Sequence, residues 1–227
     1  LANNSCVERL LVEYSEKITK KLCLSYVLYR QRDKISEIGW KSSEQYSRFV
    51  LPLDGGEEHI WQNILRGKTR NQIRKASKAD FIIKTGIEQL GNFHHVLHNG
   101  MKELGSPCPS IKLFKHSVLE FKNNVEILVM YRGKEPVGAT IVFFCNGIAS
   151  NPWTVTLKKY NVYSANLYLY WAQIKIAIAK GCTRFDFGRS LKSSGSYKFK
   201  RNIGAVKEYP LYYYYYHFQK LPPRLLY

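Results

Sequence analysis

The chain is organised around the stretch Cys182-Thr-Arg-Phe-Asp-Phe-Gly-Arg-Ser-Leu-Lys-Ser-Ser-Gly-Ser-Tyr-Lys-Phe-Lys-Arg-Asn-Ile-Gly-Ala205. Its first part, Thr183 to Phe187, has the aromatic composition of a short strand, which we predict to end at Gly188. Arg189 and Ser190 would then lie on the loop that follows the strand, where functional groups tend to collect. We therefore take this stretch as the candidate site.

Six basic residues and no acidic residue occur between Arg189 and Lys207. Aromatic and apolar side chains are interleaved with these cations, so the apolar groups could fix the backbone while the cations face an anion. The alternative is a strand, a Ser/Gly loop and a solvated basic helix turn, because charge runs usually lie on the surface. Both interpretations fit the spacing.

A second basic segment runs from Glu57 to Lys78 and has the pattern of a helix. Four of its cations are spaced four residues apart and would form one stripe on a continuous helix: Arg66, Arg70, Arg74 and Lys78. Like charges at that spacing oppose a helix by a few tenths of a kcal/mol per pair, so a repeated stripe favours a bound anion. A break at Gly67 would turn the stripe, and a solvated cationic face is the alternative.

Length and composition indicate a globular protein. The chain has 227 residues, of which 45% are hydrophobic and 14% aromatic, enough for one good core or two small ones. No apolar run is long enough to span a bilayer and the start lacks a secretion signal, so we expect a cytoplasmic protein, with a peripheral position at the inner membrane face as an alternative.

The charge balance favours anionic partners. Lys and Arg total 35 against 17 Asp and Glu, a formal net charge of +18, which suits RNA, nucleotide-linked sugars, acidic polysaccharide or an anionic membrane face. Five cysteines without paired C-x-x-C spacing indicate neither a disulfide framework nor a zinc site. His94 and His98 are four residues apart but have no third ligand nearby, so we expect no metal site.

The hydrophobic periods predict a mixed α/β architecture. We expect strands at Leu24–Arg30, Ser47–Leu53 and Phe81–Thr85, helices at 90–104 and 110–121, an antiparallel meander at 125–132, 136–145 and 148–156, a helix at 164–180 and a final tyrosine-rich strand at 212–216. Helices and strands in this order are typical of an α+β fold with a mostly antiparallel sheet.

The motif Phe185-Asp-Phe-Gly-Arg-Ser190, followed by Tyr197-Lys-Phe-Lys200 and Gly204, resembles the Fem family of peptidoglycan-bridge aminoacyltransferases and its FemAB-related relatives in exopolysaccharide gene clusters. Three upstream segments support the resemblance: Lys68–Lys75, Leu104–Pro107 and Asn166–Trp171. The resemblance implies lobes of the GNAT N-acyltransferase fold, a central mostly antiparallel mixed sheet flanked by helices. Residues 1–86 would be the end of a first GNAT-like lobe with a basic linking helix, and residues 87–227 the second lobe.

Because the chain starts at Leu1 and Fem-like proteins extend further on the N-terminal side, we expect part of the first lobe to be missing. The resemblance further implies transfer of an acyl or aminoacyl group to an amine of a peptidoglycan or polysaccharide precursor. It places a lysine near the reacting ester at Lys200, or at Lys198 if the segment is extended. Asp186 is the best carboxylate for orientation or proton transfer, unless it pairs with Arg184 or Arg189 in a structural role. We assign substrate binding to Arg70, Arg74, Lys75, Arg189, Ser190, Phe199, Trp153 and Asn166.

One segment departs from the acetyl-CoA-dependent members of the superfamily. Those members carry a Gly-rich loop after the third strand of the meander, whose backbone N–H groups cradle the pyrophosphate. The corresponding segment here, Leu157–Ser164, contains no glycine. We therefore expect no bound cofactor and a donor that is a co-substrate. The resemblance to Fem-type enzymes, which also lack this loop, implies aminoacyl-tRNA in preference to acyl-CoA as that donor.

A non-catalytic alternative fits the same residues. A GNAT-like module without acyl transfer could bind RNA or an acidic glycan through its surplus positive charge. For the enzyme, the expected partner is an anionic substrate such as a nucleotide-linked precursor or aminoacyl-tRNA.

Overall fold

A computed structural model describes residues 4–31, 39–204 and 206–217, the side chains of 215–217 excepted. The chain divides into two compact units. Of the described residues, the larger unit takes in 48–190, 194–204 and 206–208, and the smaller unit takes in the rest. The boundaries of these units differ from those of the segments 1–86 and 87–227. A compact unit is not the same as a GNAT-like lobe, and the assignment of the two segments to two lobes stays a prediction.

The described chain contains both helices and strands, in mixed order. The helices are α1 (Ser5–Lys21), α2 (Gly56–His59), α3 (Gly67–Ser77), α4 (Leu90–Glu103), α5 (Ile111–Phe121), α6 (Ala165–Ala179) and α7 (Gly195–Ile203). The strands are β1 (Tyr26–Gln31), β2 (Lys41–Pro52), β3 (Phe81–Thr85), β4 (Val125–Arg132), β5 (Glu135–Cys145), β6 (Ile148–Thr156), β7 (Arg184–Leu191) and β8 (Lys207–His217). Among these described helices, none is both long enough and apolar enough to cross a membrane.

The smaller unit joins α1 to a tyrosine-rich strand pair. Asn4 caps α1 by accepting a hydrogen bond from the Val7 N–H at 2.9 Å. Strand β1 pairs antiparallel with β8, with Tyr26 opposite His217. It begins two residues later than predicted. Val12, Trp40 and Tyr214 form the small core of this unit.

In the larger unit the strand order is β2-β7-β6-β5-β4-β3. Strands β3 to β6 pair antiparallel in sequence, and β6 pairs parallel with β7. Asn146 and Gly147 both have positive φ, which is the geometry that an Asn-Gly hairpin turn requires. The predicted meander and the mostly antiparallel mixed sheet with flanking helices are confirmed.

Both faces of this sheet are covered, as β4 demonstrates. Leu128 and Met130 belong to a core on the side of α3 and α6, whereas Ile127 and Val129 belong to a core on the side of α4 and α5. Successive side chains of a strand point to opposite faces of the sheet. Because both faces are covered, β4 is apolar at nearly every position.

The segment Glu57–Lys78 is not one continuous helix, and of the two alternatives it follows the one with a break next to Gly67. α2 runs into a π-helical turn at Ile60–Ile64, and Leu65 then turns to extended backbone and forms an isolated bridge with Gly204. The Arg66 N–H donates to the carbonyl of Ile203, and α3 starts at Gly67. A side chain on Gly204 would collide with the backbone of Ile64, so this close approach requires glycine.

The predicted end of the strand at Gly188 is also wrong. Gly188 has a φ of +71°, a conformation open to glycine, yet β7 continues through Arg189 and Ser190 to Leu191. Gly188 therefore changes the local direction of the strand but does not end it. Helix α7 follows, capped by the Ser194 side chain, which accepts from the Tyr197 N–H at 3.1 Å.

Candidate active site

The site lies where β6 and β7 separate. Their recorded pairing covers Ile148–Ser150 against Arg184–Asp186, and the strands diverge beyond it. At that point β6 contains one residue more than β5 opposite it, which is a β-bulge. Pro152 lies in the bulge and has no N–H with which to continue a ladder. Local sequence therefore opens a gap in the middle of the sheet of the larger unit.

Two adjoining cavities occupy this gap and its surroundings, with volumes of about 560 and 530 Å³. Side chains that line both cavities are Thr154, Tyr170, Ser196 and Lys200. The first cavity also contacts Asn151, Asp186, Gly188 and Arg189, and the second contacts Glu103, Lys158, Asn166 and Phe199. The four shared side chains thus mark the junction between two substrate-sized spaces.

Lys200 is the most unusual of these groups because it is a lysine that is only 7% exposed. The helical conformation of α7 turns Lys200 inward and leaves Lys198 exposed. Its Nζ donates to the carbonyls of Arg189 at 3.1 Å and Gly188 at 3.4 Å. Burial lowers the pKa of Lys200 to about 8, and the charge of Asp186 partly offsets this effect. An ammonium has three N–H donors, so one remains for a substrate.

Asp186 holds the turn that presents those two carbonyls. Its Oδ2 accepts a 2.8 Å hydrogen bond from Arg48 Nε and a second bond from the same guanidinium, and its Oδ1 accepts from the Gly188 N–H at 2.9 Å. The suggested pairing with Arg184 or Arg189 is therefore wrong, since the ion-pair partner is Arg48. Engaged on both oxygens, this carboxylate is built to orient neighbouring groups.

A buried hydrogen-bond network that includes Gln173 of α6 supports the bulge in β6. The Gln173 Oε1 accepts from Asn151 Nδ2 at 2.7 Å and from the hydroxyl of Thr140 at 3.2 Å, while its Nε2 donates to the Leu169 carbonyl. This donation fixes which way both amides are turned. Asn151 Oδ1 is then left buried without a hydrogen-bond partner among the described residues.

Tyr170 and two serines complete the junction. The Tyr170 ring lies 5.5 Å from that of Phe187 and 5.2 Å from that of Phe199, and burial raises the pKa of its hydroxyl to about 12. Ser190 is buried, and its hydroxyl contacts that of Ser196 at 2.7 Å. The phenol therefore stays protonated at neutral pH.

The residues predicted for the site fall into two groups. Around the two cavities the structure brings together Lys200, Asp186, Arg189, Ser190, Phe199 and Asn166. Trp153 is elsewhere, because its ring packs on Phe114 at 5.1 Å in the core beneath α5.

The three basic residues of α3 that were assigned to substrate binding also lie outside both cavities. Arg70 donates to the carbonyls of Trp61, Gln62 and Leu65 and so satisfies the end of the preceding helix. Arg74 lies 5.3 Å over the Trp61 ring, and Lys75 donates to the carbonyl of Val162. Their proposed role in substrate binding stays a prediction.

Several groups of the site were missed from the sequence, and they include Arg48, Asn151, Tyr170 and Gln173 as well as Thr154 and Ser196. A signal existed for Gln173, a polar residue on the buried face of an otherwise apolar helix, and for the Asn151-Pro152 pair, which interrupts a strand. At Arg48 the sequence shows only a charged residue directly before an apolar run, which is a weak indication of a functional role. Among the described residues there is no group of three metal-ligating side chains, and the His94 ring lies 3.0 Å from the carbonyl of Pro109.

A family model described as "Acetyltransferase (GNAT) domain" matches residues 65–201, which is more than half of the chain. The chain belongs to the acetyltransferase (GNAT) domain family. The matched range of this GNAT chain includes β3 to β7, both cavities and Lys200. A search of curated proteins finds no match.

Solved structures agree on the fold of this GNAT chain. FemX superimposes with a TM-score of 0.67 at 12% identity over 92% of this chain and 77% of its own. L-PGS from Bacillus licheniformis gives 0.54 at 14% identity over 91% and 67%, and a GCN5-related N-acetyltransferase from Sphaerobacter thermophilus gives 0.58 at 11% over 93% and 70%. At such identities the likeness establishes the fold alone, and the predicted GNAT-like fold is confirmed.

We predict that Arg48→Met lowers the free energy of unfolding by about 3 kcal/mol, because it leaves Asp186 buried and charged without its partner. The measurement is denaturant unfolding at neutral pH. The matched control is Lys159→Met, which breaks an ion pair with Glu135 in which the side chains are 61% and 47% exposed. Because water screens this pair, its loss should lower the stability far less than the loss of the Arg48 pair. Equal losses for the two variants would contradict a structural role of the Arg48 pair.

Proposed function

We propose that this chain is an N-acyltransferase of the Fem type that transfers an aminoacyl group to an amine of a cell-envelope precursor. The observation that carries the proposal is the buried ammonium of Lys200 at the junction of two cavities. One cavity would hold the acyl donor and the other the acceptor, so that the ester carbon and the amine meet beside Lys200 Nζ. Family membership supports the acyl-transfer chemistry.

In this reaction the amine attacks the ester carbonyl and negative charge develops on oxygen. The free N–H of Lys200 would donate to that oxygen, an interaction that is stronger in a site shielded from water. Asp186 contributes by orienting the Gly188 turn that holds Lys200. The amide bond forms, the ester C–O bond breaks, and the proton lost by the amine balances the alkoxide that leaves.

The segment Lys158–Tyr163 supports an aminoacyl ester over acyl-CoA as the donor. It forms a 3₁₀ helix with no glycine, and the Tyr160 N–H in it donates to the Leu157 carbonyl at 3.0 Å. The Lys158 N–H donates to the Glu103 carboxylate at 3.0 Å. A pyrophosphate in the usual coenzyme A position would meet that negative charge and find few free donors.

The likeness to FemX in fold and the motif around Lys200 support a peptidoglycan or polysaccharide precursor as the acceptor. Arg189, at the mouth of the first cavity, is suited to a phosphate of a nucleotide-linked substrate.

The donor class is tested by offering aminoacylated tRNA and acetyl-CoA in parallel, with nucleotide-linked cell-envelope precursors as acceptors. We expect a mass gain on the acceptor with the tRNA ester and none with acetyl-CoA. Transfer from acetyl-CoA alone would overturn the donor assignment. Binding of RNA or glycan without transfer from either donor would favour a non-catalytic module.

We expect Lys200→Met to lower kcat at saturating substrate by about a hundredfold or more, because it removes the charge beside the developing oxyanion. The melting temperature should not fall, because methionine keeps the apolar stem and removes a buried charge. Lys115→Met, at an exposed lysine of α5, is the control and should be silent. Unchanged turnover for Lys200→Met would remove this residue from the chemistry.

The pKa of Lys200 at about 8 sets a pH dependence. The ammonium is the active form, so kcat should fall as the pH rises through about 8 and the group loses its proton. Lys200→Arg keeps its charge in that range, so its profile should lack the fall even if its rate is lower. A wild-type profile that stays flat from neutral pH to pH 10, or the same fall in Lys200→Arg, would show that another group titrates.

A further inference from the structure

The junction between α3 and α7 forms a rigid corner of the larger unit. Arg66 Nη1 donates to Asn202 Oδ1 at 2.9 Å, the Thr69 hydroxyl donates to the Asn202 carbonyl at 3.3 Å, and the Arg66 N–H donates to the Ile203 carbonyl. With the Leu65–Gly204 bridge, these bonds fix the start of α3 against the end of α7. Groups carried by the two helices therefore keep a constant spacing.

Four exposed cations surround this corner: Arg66, Lys68, Lys198 and Arg201. We name them the corner cations. None of them forms an ion pair with a carboxylate among the described residues. Arg201 lies beside the Tyr197 hydroxyl, which donates to Glu208 at 3.0 Å, and Arg66 is held by the Asn202 amide. The corner thus carries four positive charges, and Glu208 is the carboxylate that the described contacts link to it through Tyr197.

The start of α3 adds to the same potential. The helix begins with Arg66 at its N-cap, has no side-chain cap hydrogen bond and has no acidic residue in its first turn. Uncapped N–H groups and the positive end of the helix dipole favour an anion, and like charges held close together oppose folding unless an anion offsets them. Two independent features therefore point to a bound polyanion.

We propose that the corner cations bind the phosphate backbone of an RNA. This inference rests on the proposed function, because it gives the RNA of the donor a docking surface. Helix α7 presents Lys198 and Arg201 outward and Lys200 inward to the cavities. An RNA held on the outer face would then have one end within reach of the junction where Lys200 lies.

The composition of the corner favours RNA over a lipid bilayer. Membrane-surface binding uses apolar or aromatic anchors beside the cations. The large exposed apolar side chains of the larger unit lie outside α3 and α7, and they are Ile82, Ile87, Leu104, Leu113, Leu119, Phe121 and Val162. A surface with cations and no such anchors matches a phosphate backbone.

The test measures binding of an RNA hairpin with a single-stranded 3′ CCA end by fluorescence anisotropy at several salt concentrations. Lys68→Glu combined with Lys198→Glu should weaken binding at least tenfold and reduce the slope of log affinity against log salt by about two. The matched control is Lys112→Glu with Lys115→Glu, two exposed lysines of α5 that change the net charge equally. It should lose far less affinity.

Each other outcome is decisive. Equal losses for the two double variants would mean that only the overall charge matters, and the corner would not be a binding surface. Wild-type binding to phosphatidylglycerol vesicles without binding to the hairpin would replace RNA by a membrane and overturn the proposal. The hairpin carries no acyl group, so its binding is measured without transfer. Lys200→Met should keep full hairpin affinity, so a failure of the proposed chemistry and a failure of this surface can be told apart.

Discussion

The buried ion pair between Arg48 and Asp186 is the contact on which the geometry of the site depends. It leaves Asp186 Oδ1 to accept from the Gly188 N–H, and this bond fixes the left-handed turn in β7. That turn aims the carbonyls of Gly188 and Arg189 at one point, where Lys200 Nζ lies. A side chain from β2 thus positions an ammonium on α7 through a carboxylate and a backbone turn. The loss of Arg48 or of Asp186 alone would leave the other buried charge without its partner.

The site is held at a cost in stability. The pKa of Lys200 falls from 10.5 to about 8 on folding, which corresponds to about 3 kcal/mol against the charged form at neutral pH. Between these two values the unfolded chain binds the proton more tightly, so the contribution of Lys200 to stability rises with pH. The proposed chemistry needs the opposite, the charged form. Such a conflict between stability and chemistry is typical of active sites. A lysine without a functional role would be more stable with its ammonium exposed to water, so the burial of Lys200 favours a functional role.

Local patterns predicted the parts of the fold that local energetics control. The meander was predicted almost to the residue, because alternation along β4 and the Asn146-Gly147 turn are set by neighbouring residues. Lys200 was singled out from a motif, and its inward direction follows from the helical period of α7. The partner of Asp186 could not be predicted, because Arg48 lies 138 residues away and strand order decides the contact. The sequence offered a break next to Gly67 as one alternative, but it could not supply the cause, which is the pairing of Leu65 with the distant Gly204.

The chemistry around the junction also bears on the order of events in the proposed reaction. The hydroxyls of Ser190 and Ser196 contact each other, and among the described residues that line the two cavities there is no histidine and no cysteine to act as base or nucleophile. An enzyme that forms a covalent acyl intermediate needs such an activated group. With two cavities that meet at Lys200, the donor ester and the acceptor amine can occupy the site together. The geometry therefore favours direct attack of the amine on the ester, with both substrates bound, over a two-step transfer through the protein.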